Sequence, residues 1–132
     1  MNLLDLKAGA ELPPLAIGPI TRRSLALFAG ASGDHQPVHI DLDAAHARGR
    51  PDVIAHGMLS MAYLGRYLDN LFPQERLKSF SARFAAVTPV LAEPVCRGRV
   101  ETVENGEAIL DLTVALGDGT VTVRGRAVVD LS

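Results

Sequence analysis

Two short segments hold the residue types that can do chemistry. Gly33-Asp34-His35-Gln36-Pro37-Val38-His39 sets an acid and an imidazole five residues apart. Pro37 stiffens the loop between them. Two such groups sharing one water can take one proton and deliver another. Ala55-His56-Gly57-Met58 places a glycine at the predicted start of a long apolar helix. The first amides of a helix lack internal partners, and its dipole favours negative charge there. Gly57 also lets a ligand approach the backbone closely, so its amide can polarise a carbonyl as charge develops on the oxygen. Together these are the parts needed to add water to, or remove it from, a carbon next to a carbonyl.

Neighbouring groups are weaker candidates. His56 precedes the proposed amide donor and reads as a capping or orienting group. His35 is expected to face the other side of an extended loop, and His46 to be solvated. Asp34, His35, His39, Asp41, Asp43 and His46 offer enough donors for a cation but no recognised ligand spacing, so no metal is expected. Ser32, Ser60 and Ser81 lie in no G-x-S-x-G elbow. Gly30, Gly33 and Gly49 lack the context of a phosphate loop.

The elements that must position these groups follow from periodicity. Residues 12–17 read as a first short strand, delayed by Pro13 and Pro14. Thr21 can cap a helix over residues 22–31, with Leu25, Phe28 and Ala29 at helical spacing and Gly33 as its stop. Pro37 disfavours helix at Gln36, which leaves the acid and imidazole on a loop. Asp41 or Asp43 can cap a short helical turn. The next helix covers 56–71, and its apolar residues occupy most of its circumference, as in a buried central helix. Residues 79–87, 95–103, 108–116 and 120–129 alternate as strands. Asn105-Gly106 and Asp118-Gly119 predict two-residue hairpins, so the last three strands form an antiparallel meander. The expected fold is one α+β domain over residues 1–132, a curved antiparallel sheet wrapped around one long buried helix.

Composition narrows the function class. Aromatics at 5% and a net charge of −2 argue against a nucleic-acid surface. The stretch before Pro14 carries Asp5, Lys7 and Glu11 and lacks a signal-peptide run, and Arg66 and Asp69 interrupt the most apolar helix, so a cytoplasmic protein off the membrane is the expectation. Cys96 is the single cysteine. No intrachain disulfide is possible, and a small semi-buried thiol is expected.

The chain resembles the MaoC-like hydratases and dehydratases of the hot-dog superfamily. The likeness rests on F-A-G-A-S-G-D-H-Q-P-V-H-I-D over residues 28–41, A-H-G-M over 55–58 and R-F-A-A-V-T-P-V over 83–90. It implies reversible hydration of a trans-2-enoyl thioester to an (R)-3-hydroxyacyl thioester, carried by coenzyme A or an acyl carrier protein, within fatty-acid metabolism and with no cofactor. Asp34 and His39 match the family's catalytic pair and Gly57 its carbonyl-polarising amide. Gln36, His56 and Met58 fall at the substrate-binding margin. Gln36 stands where the family has asparagine. Arg48, Arg50, Arg66, Arg83, Arg97 and Arg99 could meet the phosphates of an acyl carrier. The resemblance further implies a homodimer with continuous sheets, or a heterodimer with a related subunit. The rival readings are a hot-dog thioesterase and a non-catalytic acyl-thioester-binding subunit.

Overall fold

Thr21 opens the first helix as the sequence predicts. The computed structural model describes residues 2–132, with every side chain but that of Leu4; Met1 of the expected domain lies outside them. The Thr21 side chain accepts the Ser24 N–H, and α1 runs over Arg22–Ser32. Gly33 ends it at φ 76°, donating its N–H to the Ala29 carbonyl. The loop then tightens into a 3-10 turn, Pro37–His39. Of the two candidate caps that follow, Asp41 is the one used: its carboxylate accepts the Asp43 and Ala44 N–H groups and starts α2, Leu42–Ala47. The long helix α3 covers Gly57–Leu71, with His56 as the residue before it.

The strands are β1 (Leu15–Ala16), β2 (Leu77–Phe84), β3 (Val95–Glu104), β4 (Glu107–Ala115) and β5 (Val121–Asp130). They form one antiparallel sheet in the order β1-β3-β4-β5-β2, so the expected meander is its centre. Three expectations are corrected. First, the opening strand is only two residues long, because Pro13 and Pro14 have no N–H to give. The chain still tracks β3: the Leu12 N–H donates to the Gly98 carbonyl and the Ile17 N–H to the Pro94 carbonyl. Second, β2 begins at Leu77 and stops at Phe84, where the Ala85 and Ala86 N–H groups both turn to the Thr122 carbonyl. Third, Asp118-Gly119 is not a two-residue hairpin. Only Gly119 has positive φ, at 90°, whereas Asn105 and Gly106 both do, at 54° and 74°. The Leu116 carbonyl accepts the Gly119 N–H, and the Asp118 carboxylate accepts the Thr120 N–H. That pattern closes a three-residue loop over 117–119, as hairpins with one left-handed glycine do.

Helix α3 lies on the inner face of the sheet. One row across that face reads Gly98, Leu112, Gly125, Ala82 in register. A Cβ on Gly125 would stand 3.1 Å from Leu64, and one on Gly98 3.2 Å from Tyr67. The bare backbone of these two glycines lets the helix seat closely. Leu64, Tyr67 and Leu68 are buried there with Val100, Leu110 and Val123. The helix is less enclosed than its composition suggested: Met58, Ala62, Arg66 and Asp69 form an exposed line. Met58 and Ala62 are apolar in type, but their spacing puts them on the same face as two charges.

A smaller cluster holds the loop that carries the acid and imidazole. Ile20, Leu25, Val38, Ala45, Val53, Ala55, Leu59 and Val90 bury together, joining α1, the 3-10 turn, α2 and the start of α3. A fully buried side chain such as Leu25 or Val38 contributes about 2 kcal/mol. Among the described residues no helix is long and apolar enough to cross a membrane.

Candidate active site

Val38 anchors the site. Its side chain is in the small cluster, and its carbonyl accepts the Ile54 N–H at 3.2 Å. That fixes His39 next to it: Nδ1 lies 2.7 Å from the Ile54 carbonyl. A carbonyl can only accept, so Nδ1 carries the hydrogen and Nε2 is left as the working nitrogen. His39 Nε2 stands 3.8 Å from Asp34 Oδ2.

Asp34 is placed by its own turn. Ser32 Oγ accepts its N–H at 3.2 Å, and its Oδ1 accepts the Gln36 N–H at 3.2 Å. Such Asx geometry is how a short acidic side chain replaces a backbone turn. It occupies one carboxylate oxygen and leaves Oδ2 toward His39. The Asp34 side chain is 43% exposed and the His39 side chain 12%, so water reaches the pair from the acid's side.

His56 lies beneath them and is 1% exposed. Its Nε2–H donates to the Asp34 carbonyl at 3.1 Å. Its ring stacks on His39 with centroids 3.8 Å apart and planes at 22°, and Phe28 meets it edge-on at 4.8 Å. Burial pushes its pKa down, the Asp34 carbonyl bond opposes this, and the neighbouring His39 lowers it further. His56 is therefore a neutral ring that ties the Asp34 loop to the start of α3. It occupies the capping position, yet its side chain caps no helix amide.

Gly57 comes next, the first residue of α3. A bridge between Ile54 and Pro89, with the Ala55 N–H donated to the Thr88 carbonyl, aims the chain into it. His39, Gly57 and Ser60 line one cavity of about 390 Å³, walled by Phe84, Val87 and Thr122. The structure thus brings Asp34 and His56 against His39, and His39 shares the cavity with Gly57. Gln36 and Met58 are not part of it: both are exposed and neither lines the cavity. His46 turns away to the Pro51 carbonyl. Ser60, Phe84 and Thr122 are cavity residues that sequence reasoning passed over. Ser60 had a readable signal, three positions after Gly57 on the same helix face, and Phe84 lies in the 83–90 motif.

The same grouping bears on metals. Asp34, His39 and His56 bring three potential ligand atoms within 4.8 Å of one another. Each ring already gives one nitrogen to a backbone carbonyl, and the remaining nitrogen of His56 is buried. The hydrogen bonds and stacking account for the arrangement as a network that orients Asp34 and His39 toward each other.

The model of the MaoC like domain matches residues 11–123. The chain belongs to this family. Among its MaoC-like relatives, 3-hydroxyacyl-thioester dehydratase X of Mycobacterium tuberculosis is 37% identical over 118 residues, covering 86% of this chain and 40% of that protein. Dehydratase Z of the same organism is 32% identical over 115 residues, covering 82% of this chain and 74% of the other. The chain thus spans two fifths of the first relative and about three quarters of the second. Of solved structures, an (R)-hydratase from A. caviae involved in PHA biosynthesis superposes with a TM-score of 0.85 at 25% identity, over 97% of this chain and 98% of that one. One chain of the ChsH1-ChsH2 complex from M. tuberculosis shares the fold at a TM-score of 0.83 and 22% identity. These likenesses establish the hot-dog architecture, with α3 as its central helix.

Proposed function

We propose that this chain catalyses reversible hydration of a trans-2-enoyl thioester to an (R)-3-hydroxyacyl thioester. The observation that carries the reading is His39, whose Nε2 faces Asp34 Oδ2 at 3.8 Å and which lines one cavity with Gly57, the first residue of α3. The activities for which dehydratases X and Z and the (R)-hydratase are named support the same chemistry.

The steps follow from the geometry. Asp34 and His39, 3.8 Å apart, hold one water between them. Its oxygen forms the new bond to the β-carbon. One member of the pair takes a proton from that water, and the pair returns one to the α-carbon. Meanwhile the thioester oxygen gathers charge at the Gly57 amide, where the helix dipole favours it. The thioester itself acidifies the α-position, so the steps use only side chains and backbone.

The acyl group comes on coenzyme A or an acyl carrier protein. The occupant of the sheet's free edge is a second copy of this chain or a related subunit, pairing along the eight-residue β2. Exposed Phe84, the last residue of β2, and exposed Val87 both line the cavity, which supports this reading. Crotonyl-CoA hydration, followed as loss of the enoyl absorbance, is the test. Asp34→Asn and His39→Ala should each abolish most turnover, and unimpaired turnover in both overturns the assignment. A thiol reagent in parallel reads the rival hydrolysis, because hydration leaves the thioester intact.

A further inference from the structure

We propose that the Ser60 hydroxyl is a second donor to the substrate carbonyl, acting beside the Gly57 amide. The inference rests on the hydratase reading and extends it to a residue that reading does not need. Ser60 is 1% exposed, and its Oγ has no hydrogen-bond partner among the described residues. A serine inside a helix usually bonds back to the carbonyl four residues earlier; this one does not. A buried hydroxyl without a partner weakens the folded state. The cost is understandable if the partner arrives with the ligand.

Position points to which ligand atom that is. Ser60 lines the same cavity as His39 and Gly57. It follows Gly57 by three positions, so the two share a helix face. Side chains on a helix lean toward its N-terminus and cover the preceding turn, here the turn that begins at Gly57. Thr122, the neighbouring hydroxyl of the cavity, is already spent on the Val114 carbonyl. Of these two, Ser60 is the buried hydroxyl left without a partner and free to donate. An enolate-like oxygen takes two donors readily, and a single amide leaves it short of one. The hydroxyl forms and breaks no covalent bond; it only strengthens its hydrogen bond as the oxygen charges.

The experiment compares Ser60→Ala and Ser60→Thr with the unaltered protein. The first readout is kcat for crotonyl-CoA; the second is the carbonyl stretch of bound butyryl-CoA carrying ¹³C at the carbonyl. The third is thermal stability. Ser60→Ala should lose roughly a hundredfold in kcat, shift the bound carbonyl back toward its free frequency, and melt no lower than the original. Ser60→Thr keeps a hydroxyl and should recover most of the rate. A purely structural serine would lower the melting temperature and leave the carbonyl frequency unmoved, and that result overturns the proposal. An unaltered protein that turns over crotonyl-CoA while Ser60→Ala matches it in rate and spectrum refutes the serine's role alone. An unaltered protein that neither turns over nor binds these thioesters removes the underlying hydratase reading as well.

Discussion

Gly57→Pro separates the amide from the residue that bears it. Proline has no N–H, yet it suits the first position of a helix, where that N–H has no internal partner. The preceding backbone already accepts it: His56 sits at φ −64° and ψ 136°, in the extended region required before proline. The side-chain atoms are the remaining change. A Cβ on Gly57 would lie 3.2 Å from Phe84 Cδ1, so the ring must yield by a few tenths of an ångström. Phe84 is 50% exposed and can do so. Gly57→Ala therefore controls for the Cβ, and Gly57→Pro adds the loss of the donor together with the two further ring carbons, Cγ and Cδ. Removing one donor to a developing oxyanion costs about 2.7–4 kcal/mol in the transition state, or roughly a hundredfold to a thousandfold in rate. The expected result is a small loss of kcat in Gly57→Ala, and a further loss of that size in Gly57→Pro. Steady-state hydration of crotonyl-CoA reads the rate, and circular dichroism melting confirms that both variants fold. A folded proline variant within threefold of the alanine variant would refute the role of the amide.

Three further expectations concern the side chains of His56 and Cys96. His56→Phe keeps a ring under His39 but drops the Nε2–H that holds the Asp34 carbonyl. A misplacement of about 1 Å costs on the order of a hundredfold in rate, so kcat should fall far more than KM rises. Because the native pKa of His56 is lowered, the unfolded chain binds a proton that the folded chain refuses. Stability should therefore fall as pH drops below about 6.5, and His56→Phe should flatten that dependence in denaturant titrations across pH. Cys96 is fully buried with its thiol pushed up to about 11. It should stay inert to a thiol reagent at neutral pH in the native protein and react on unfolding, so labelling of the folded chain would contradict its packing.

Local rules carried the sequence reading where chemistry is local. Thr21, Gly33 and Asn105-Gly106 each act within a few residues, and each was legible; Asp41 was one of two candidate caps. Asp34 and His39 were legible for the same reason, since a stiff loop sets their spacing. Asp118-Gly119 was misread because its composition permits two hairpin geometries and the strand register chooses between them. Ser60, Phe84 and Thr122 meet only when α3 and the β2–β5 region are packed together, and no single stretch of sequence records that meeting. The role of His56 was half visible. Its position before the helix suggested a cap, but its real partner, the Asp34 carbonyl, is 22 residues away.

The glycine row beneath α3 sets a tolerance for the reaction centre. Leu64 and Tyr67 rest on Gly125 and Gly98 with no slack for a methyl group. Adding one would press on Leu64 or Tyr67 like a shim under a bearing, and the few tenths of an ångström that these must give would be passed along α3 toward Gly57. Selection for turnover alone would therefore hold these two positions fixed, although neither lines the cavity. Invariance there would report the height of a helix, and a screen that scores only activity would mistake it for contact with the substrate.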